Sequence, residues 1–194
     1  MPYKRDPKTL ARPWAIPGTP GLEHRIGGIE KKDKTGTINY EPLNHERMVR
    51  LRAAKVEAVA QDIPDVVPAG DTSGDLLIVG WGSTFGPITA ALKAQRAKGR
   101  KIGHVHLRHL NPFPRNLGEV LMRYDQVLVP EMNMGQLLLV LRAKYLVDAK
   151  GYNKIQGKPF RQSEIEARIE ETLGLRPVQA SPDAEEDAES VSQG

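Results

Sequence analysis

The chain has 194 residues, 28 Lys+Arg against 24 Asp+Glu, 18 Gly, 15 Pro and no cysteine. That length suits one domain with an extension, and the missing thiols exclude a disulfide framework, cysteine-ligated zinc or iron–sulfur clusters, and a cysteine nucleophile. The net charge is +4 overall, and the five acidic residues of 181–194, with no basic residue among them, leave +9 on residues 1–180. A basic body can mark nucleic-acid binding. Here the positive charge is spread out, as in Lys98-Gly99-Arg100-Lys101, with no RGG tract and no aromatic-interleaved basic strand. An acidic partner or a solvated surface is the favoured reading. No apolar run approaches 18 residues and no apolar stretch follows the charged N-terminus, so the expectation is a cytoplasmic protein with no membrane partner.

Residues 1–41 hold five prolines in the first 20 positions and no sustained apolar period. Such a segment is expected to be irregular, because it cannot offset its ordering entropy alone. Residues 42–74 read as a connecting helix and linker. NHERMVRLRAAKVEAVAQ predicts a helix of 18 residues with Asn44 as N-cap, ended by Pro64, Pro68 and Gly70-Asp71-Thr72-Ser73-Gly74. Residues 75–176 form the folded domain. LLIVG (76–80), KIGHVHL (101–107) and QVLVPE (126–131) read as buried strands, and a weaker strand is placed at Tyr152–Ile155. Helices are predicted over 87–99, within 111–124, over 134–147 and over 163–174, with Gly99 as a stop. This alternation gives an α/β class: a mainly parallel sheet sandwiched by helices, with right-handed crossovers. Residues 177–194 are expected to be a disordered acidic tail.

Three turns at predicted strand ends carry the chemistry. Gly80-Trp81-Gly82-Ser83-Thr84-Phe85-Gly86 joins a buried strand to a helix, so Gly82, Ser83 and Thr84 can either cradle an anion at the helix start or make a tight capped turn. The spacing is not that of a dinucleotide fingerprint, and there is no P-loop lysine. Arg108, His109 and Asn111 stand in the Pro112- and Pro114-shaped loop after the second strand, at the edge where α/β sheets hold ligands. Glu131, Asn133 and Gln136 follow the third strand and either orient a ligand or cap the next helix, Asn133 as N-cap and Gln136 in the capping-box position. His104 and His106 share a strand face, but without a third ligand they read as packing, and no metal is assigned. No nucleophile–base pairing motif is present, and no catalytic residue is assigned.

The blocks GWGSTFGPITAAL, HLRHLNPFPRNLGEVL and VLVPEMNMGQLLLVLRAKYLVDAKGYNKIQGKPF resemble the C-terminal part of the alpha subunit of 2-oxoacid:ferredoxin oxidoreductases, most of all the 2-oxoglutarate branch. RPWAIPGTPGLEHRIGGIEKKDKTGTINYEPLNHERMVRLRAAKV resembles the same subunit, and the likeness spans residues 12–160. It implies a transketolase C-terminal-domain-like fold over the folded domain, with residues 1–41 a remnant of a pyrimidine-binding domain. It further implies an enzyme that makes acyl-CoA (succinyl-CoA) and CO2 from a 2-oxoacid while reducing ferredoxin. Thiamine diphosphate, Mg2+ and an iron–sulfur cluster belong to the complete complex, none of them bound by this chain alone. The implied partners are the beta subunit, the missing N-terminal portion of alpha, ferredoxin and coenzyme A. On this resemblance the chain is a C-terminal fragment with a mainly structural and interface role, inert by itself. His24 and Arg25 match a part nearer the active site, where they either face a substrate carboxylate or sit in a solvated turn. The alternative is a free-standing anion- or CoA-binding interaction domain.

Overall fold

Three apolar runs and two shorter, more polar strands build one sheet, and the computed structural model describes residues 1–175 of the chain. The expected tail 177–194 lies outside the described residues. Two units are distinguished: Met1–Asp65 with His109–Arg115, and Val66–Arg108 with the chain from Asn116 on.

The second unit holds strands β1 (Ala69–Gly70), β2 (Gly74–Trp81), β3 (Ile102–Leu107), β4 (Tyr124–Glu131) and β5 (Ala149–Asn153) in the order β1-β3-β2-β4-β5. Every pairing is parallel except the antiparallel edge contact of β1 with β3. The mainly parallel α/β sheet is therefore as expected. β1 is an addition, because its two residues fall in a stretch that reads as linker. The weak strand lies three residues earlier than predicted, where Ala149 and Gly151 pair with Val127 and Val129.

The first unit carries helix α1 (Pro42–Ala58), followed by a 3-10 turn over Val59–Gln61; the second carries α2 (Phe85–Ala97), α3 (Leu117–Leu121), α4 (Gln136–Tyr145) and α5 (Gln162–Thr172). Side chains alternate across the sheet, and Leu76, Ile78, Ile102 and Leu128 meet Ile88, Ala91 and Leu92 of α2 and Ile165 and Ile169 of α5 in one core. Leu77, Val79, Val127 and Val129 point the other way and are buried, as are Leu117, Leu121, Leu137 and Leu141 of α3 and α4. Stepping from β2 to β3 and then back across to β4 reverses direction, so right-handed crossovers put α2 and α4 on opposite faces. The β2 and β4 ends thus form the point at which the strand order reverses.

Local chemistry moves several helix boundaries. α2 stops at Ala97, and Gly99 follows in the left-handed conformation at φ +81°. α4 is shorter than the predicted 134–147 because Gly135 and Leu146 bracket it in left-handed backbone. α3 is only five residues long; Pro112 and Pro114 keep the preceding stretch out of helix. Asn44 is not the N-cap of α1. The helix starts two residues earlier at Pro42, whose missing N–H costs nothing in the first turn, and Glu41 takes the cap position. Asn44 instead donates to Lys31 O at 3.0 Å and accepts from Asp33 N at 3.3 Å.

In the first unit residues 1–41 form no named helix or strand and are pinned by isolated bridges, Tyr3 with Lys34 and Lys31 with Ile38. The Glu30 carboxylate gathers His45 at 2.9 Å and Arg52 at 3.4 Å from α1.

Candidate functional site

The crevice at the C-terminal ends of β2 and β4 is where an open α/β sheet offers space to a ligand. Here the chain fills it with its own side chains. Trp81 ends β2, and its indole Nε1–H donates to Glu131 Oε1 across the gap at 3.3 Å. Ser83 donates to the sulfur of Met132 at 3.3 Å. Thr84 both accepts from Trp81 N at 3.1 Å and donates to Trp81 O at 2.8 Å, closing the Gly82–Thr84 turn on itself. Gly82 takes φ +58°, which lets the chain reverse directly into α2.

Glu131 is fully buried. Its two oxygens accept the free N–H groups of Leu137 and Leu138 at the start of α4, each at 3.0 Å. A carboxylate there satisfies orphan donors and faces the positive end of the helix dipole. Asn133 Oδ1 accepts from Gly135 N at 2.7 Å and Gln136 N at 3.4 Å. The cap of α4 is thus shared by Glu131 and Asn133, and Gly135 rather than Asn133 occupies the N-cap position. The predicted capping box through Gln136 does not form: Gln136 is exposed, and the donors it leaves go to the carboxylate five residues before it. The structure therefore brings Ser83, Thr84, Glu131 and Asn133 together and uses all four as internal fasteners. Trp81, which the sequence offers no reason to single out, is the fifth member.

His104 and His106 lie on the α2 face of β3, opposite Ile78 and Gly80 of β2. Their rings stand edge to face at 5.8 Å, and Phe85 at the start of α2 covers His106 at 4.9 Å. His104 is 3% exposed, and burial first, then the neighbouring His106, pulls it down to about 4. His106 is also lowered, by burial and by Arg108, against a partial rise from its bond to the Gly82 backbone. His104 Nε2 and His106 Nδ1 are buried without a hydrogen-bond partner. Both rings are thus neutral packing groups near pH 7.

Gly80 is what allows this arrangement. A Cβ there would lie 2.5 Å from Ile88 Cδ1, 2.9 Å from Thr84 Oγ1 and 3.4 Å from His104 Nε2. Gly80→Ala is expected to destabilise the fold by about 1–3 kcal/mol, since the buried side chains of Ile88 and Thr84 must shift. Chemical denaturation of the two proteins measures it.

The remaining candidates take no part in these bonds. Arg108 is exposed just after β3. His109 and Asn111 are exposed and belong to the first unit, with Phe113 buried beside them in sequence. In that unit His24 is half-buried, its Nδ1 2.8 Å from Leu22 O and its ring edge-on to Tyr3. Arg25 is exposed, and its carbonyl accepts a bond from the buried Lys31 ammonium.

Residues 74–165 match the model of the pyruvate:ferredoxin oxidoreductase core domain II. The chain is 52% identical to the 2-oxoglutarate oxidoreductase subunit KorA of Mycobacterium tuberculosis over 94% of its own length. The chain belongs to the 2-oxoacid:ferredoxin oxidoreductase alpha-subunit family. An alpha subunit of such an enzyme from Aeropyrum pernix is 35% identical over 70% of the chain. The solved 2-oxoglutarate:ferredoxin oxidoreductase from Magnetococcus marinus, with 2-oxoglutarate, coenzyme A and succinyl-CoA bound, superposes with a TM-score of 0.80 at 32% identity over 88% of the chain. The chain spans 28% of the KorA relative, 22% of the Aeropyrum relative and 30% of the solved chain. A free-standing anion- or CoA-binding module is not favoured by these likenesses.

The resemblance implies metal groups, and the described residues do not fit them. The sequence has no cysteine to hold an iron–sulfur cluster. Among the described residues no three His, Asp or Glu side chains are grouped to hold a metal ion. Among them, too, no helix is long and apolar enough to cross a membrane.

Proposed function

We propose that this chain is a structural and subunit-interface part of the alpha subunit of a cytoplasmic, thiamine diphosphate-dependent 2-oxoacid:ferredoxin oxidoreductase, with 2-oxoglutarate as the oxoacid. The enzyme forms succinyl-CoA and CO2 and reduces ferredoxin. The beta subunit and the rest of alpha bring thiamine diphosphate, Mg2+ and the iron–sulfur cluster. The observation that carries this reading is the 0.80 TM-score to the solved 2-oxoglutarate enzyme over 88% of the chain. The chemistry of the crevice supports the architectural role: Glu131, Thr84 and Asn133, the groups best suited to grip a ligand, have their bonds taken up by the fold.

On this reading residues 1–41 belong with the pyrimidine-binding domain, 42–74 connect, and 75–176 are the transketolase C-terminal-like domain. The exposed Arg108, His109, Asn111, Gln136 and Arg25, with Gly82, Ser83 and half-buried His24, are its candidate contacts to ligand or neighbouring subunit. Combining the chain with the remaining alpha-subunit polypeptide and the beta subunit, with all cofactors supplied, is expected to give 2-oxoglutarate-dependent succinyl-CoA formation. Leaving this chain out is expected to abolish it. Equal turnover with and without the chain overturns the proposal.

A further inference from the structure

α1 is held by polar contacts and is almost bare of apolar ones. Of its 17 residues Met48 is buried. Arg47 meets Asp33 at 3.0 Å, Arg52 and His45 meet Glu30, and Asn44 bonds the Lys31 carbonyl. A helix usually owes its stability to an apolar face packed on something. On α1 that face is open: Leu43 is 81% exposed, and Leu43, Glu46, Arg47, Arg50, Leu51 and Ala54 line a shallow groove of about 630 Å3, with Glu46 paired to Arg50.

The groove runs past Arg47 and Leu51 into a second hollow of about 650 Å3 in the same unit. Leu10 forms part of its apolar wall, and Lys4, Arg5, Lys34 and Arg47 stand against the carboxylates of Asp6 and Asp33, which leaves two positive charges over. Leu10 and Lys34 are in left-handed backbone, at φ +56° and +68°. Among the described residues the other such non-glycine is Leu146. Such backbone is unfavourable for a residue with a side chain, and it gathers where a surface is shaped to receive something.

We propose that this groove seats an amphipathic helical segment of the alpha-subunit polypeptide that this chain does not span, one with apolar side chains at helical spacing and carboxylates on its flank. The inference rests on the subunit reading above and names the surface that reading leaves open. The relatives match 94% and 88% of this chain while extending far beyond it, so most of their polypeptide has no counterpart here. The lined stretch of α1, Leu43 to Ala54, is about 17 Å long, enough for three turns of a helix laid along it. The surplus of positive charge selects an acidic flank.

The test is binding of the full chain to the polypeptide that covers the remainder of the alpha subunit, followed by calorimetry. Leu43→Asp and Ala54→Asp each place a charge in the groove at exposed positions, so circular dichroism and melting temperature should stay at wild-type values while affinity falls at least about tenfold. Lys4→Glu with Lys34→Glu should slow association and flatten its salt dependence. Leu139→Asp, exposed on α4 in the other unit, should leave affinity unchanged. If a tight complex forms and both groove variants bind like wild type, the groove is not the seat, although the subunit reading stands. If wild-type chain forms no complex, the subunit reading falls and takes this inference with it. If the chain alone sediments as a dimer that Leu43→Asp splits, a second copy occupies the groove and the proposal is overturned.

Discussion

Replacing Glu131 with leucine is expected to cost the fold about 3–5 kcal/mol, the largest effect of any single change at the sheet's end. The carboxylate is fully buried, and three donors end on it: Leu137 N, Leu138 N and Trp81 Nε1. A hydrogen bond to a charged group contributes roughly 1.5–3 kcal/mol, and a buried donor stripped of its acceptor costs about 1–3 kcal/mol. Swapping a buried ion for an apolar side chain is sometimes neutral, but only where the partners can be replaced as well. Here two of the partners are backbone N–H groups that no substitution removes. Glu131→Gln keeps one carbonyl acceptor and the shape, but it turns an amide N–H2 toward a backbone donor and gives up the charge at the helix start. We expect it to lose about half as much. Urea denaturation with unchanged slope measures both variants. A loss below 1 kcal/mol in Glu131→Leu would show that α4 is held by its leucines alone.

The second large effect is acid sensitivity centred on His104. Its folded value of about 4 lies below the ordinary 6.5 because the ring is buried and His106 stands beside it. Between these values the unfolded chain binds a proton that the folded chain refuses, so stability rises with pH across this window and is lost as pH falls through it. A drop of this size corresponds to about 3 kcal/mol of stability present above pH 6.5 and missing by pH 4. The groups that face the ring are His106, whose own value is also lowered, and Phe85; Arg108 adds positive charge nearby. The described carboxylates with depressed values, Asp6, Glu23, Glu30, Asp71 and Glu164, act lower: the stability they contribute is present above the ordinary carboxylate range and is lost below it. His104→Phe keeps a flat ring in the same place and should remove most of the slope between pH 4.5 and 6.5. Midpoints of urea unfolding across that range decide it. An equally steep slope in the variant would move the effect to another group.

The relation between sequence and structure is clearest at the strands. LLIVG and QVLVPE carry no alternation because both faces of a central parallel strand are covered, so an unbroken apolar run suffices to mark them. Helix α2 ends where a glycine can take the left-handed turn, which is equally a property of the local chain. The helix-entry chemistry was only partly local. Asn133 does accept bonds at the start of α4, as its spacing suggests, while Asn44 turned to the Lys31 carbonyl because Pro42 had already opened α1.

Composition and periodicity therefore determined the α/β class, the buried strands and the glycine and proline stops, because each depends on residues within one turn or one strand of one another. Specific long blocks likewise carried the family. Tertiary structure alone decided that Glu131 is buried and bonded across the sheet, since its Trp81 partner is 50 residues away and meets it only once β2 and β4 lie side by side. It also decided the two-residue β1, which is extended only because β3 lends it a partner, and the neutrality of His104, which depends on the α2 helix and Gly80 closing over the ring. Burial and pairing are made by contacts between distant segments, and no window of sequence contains both sides of such a contact.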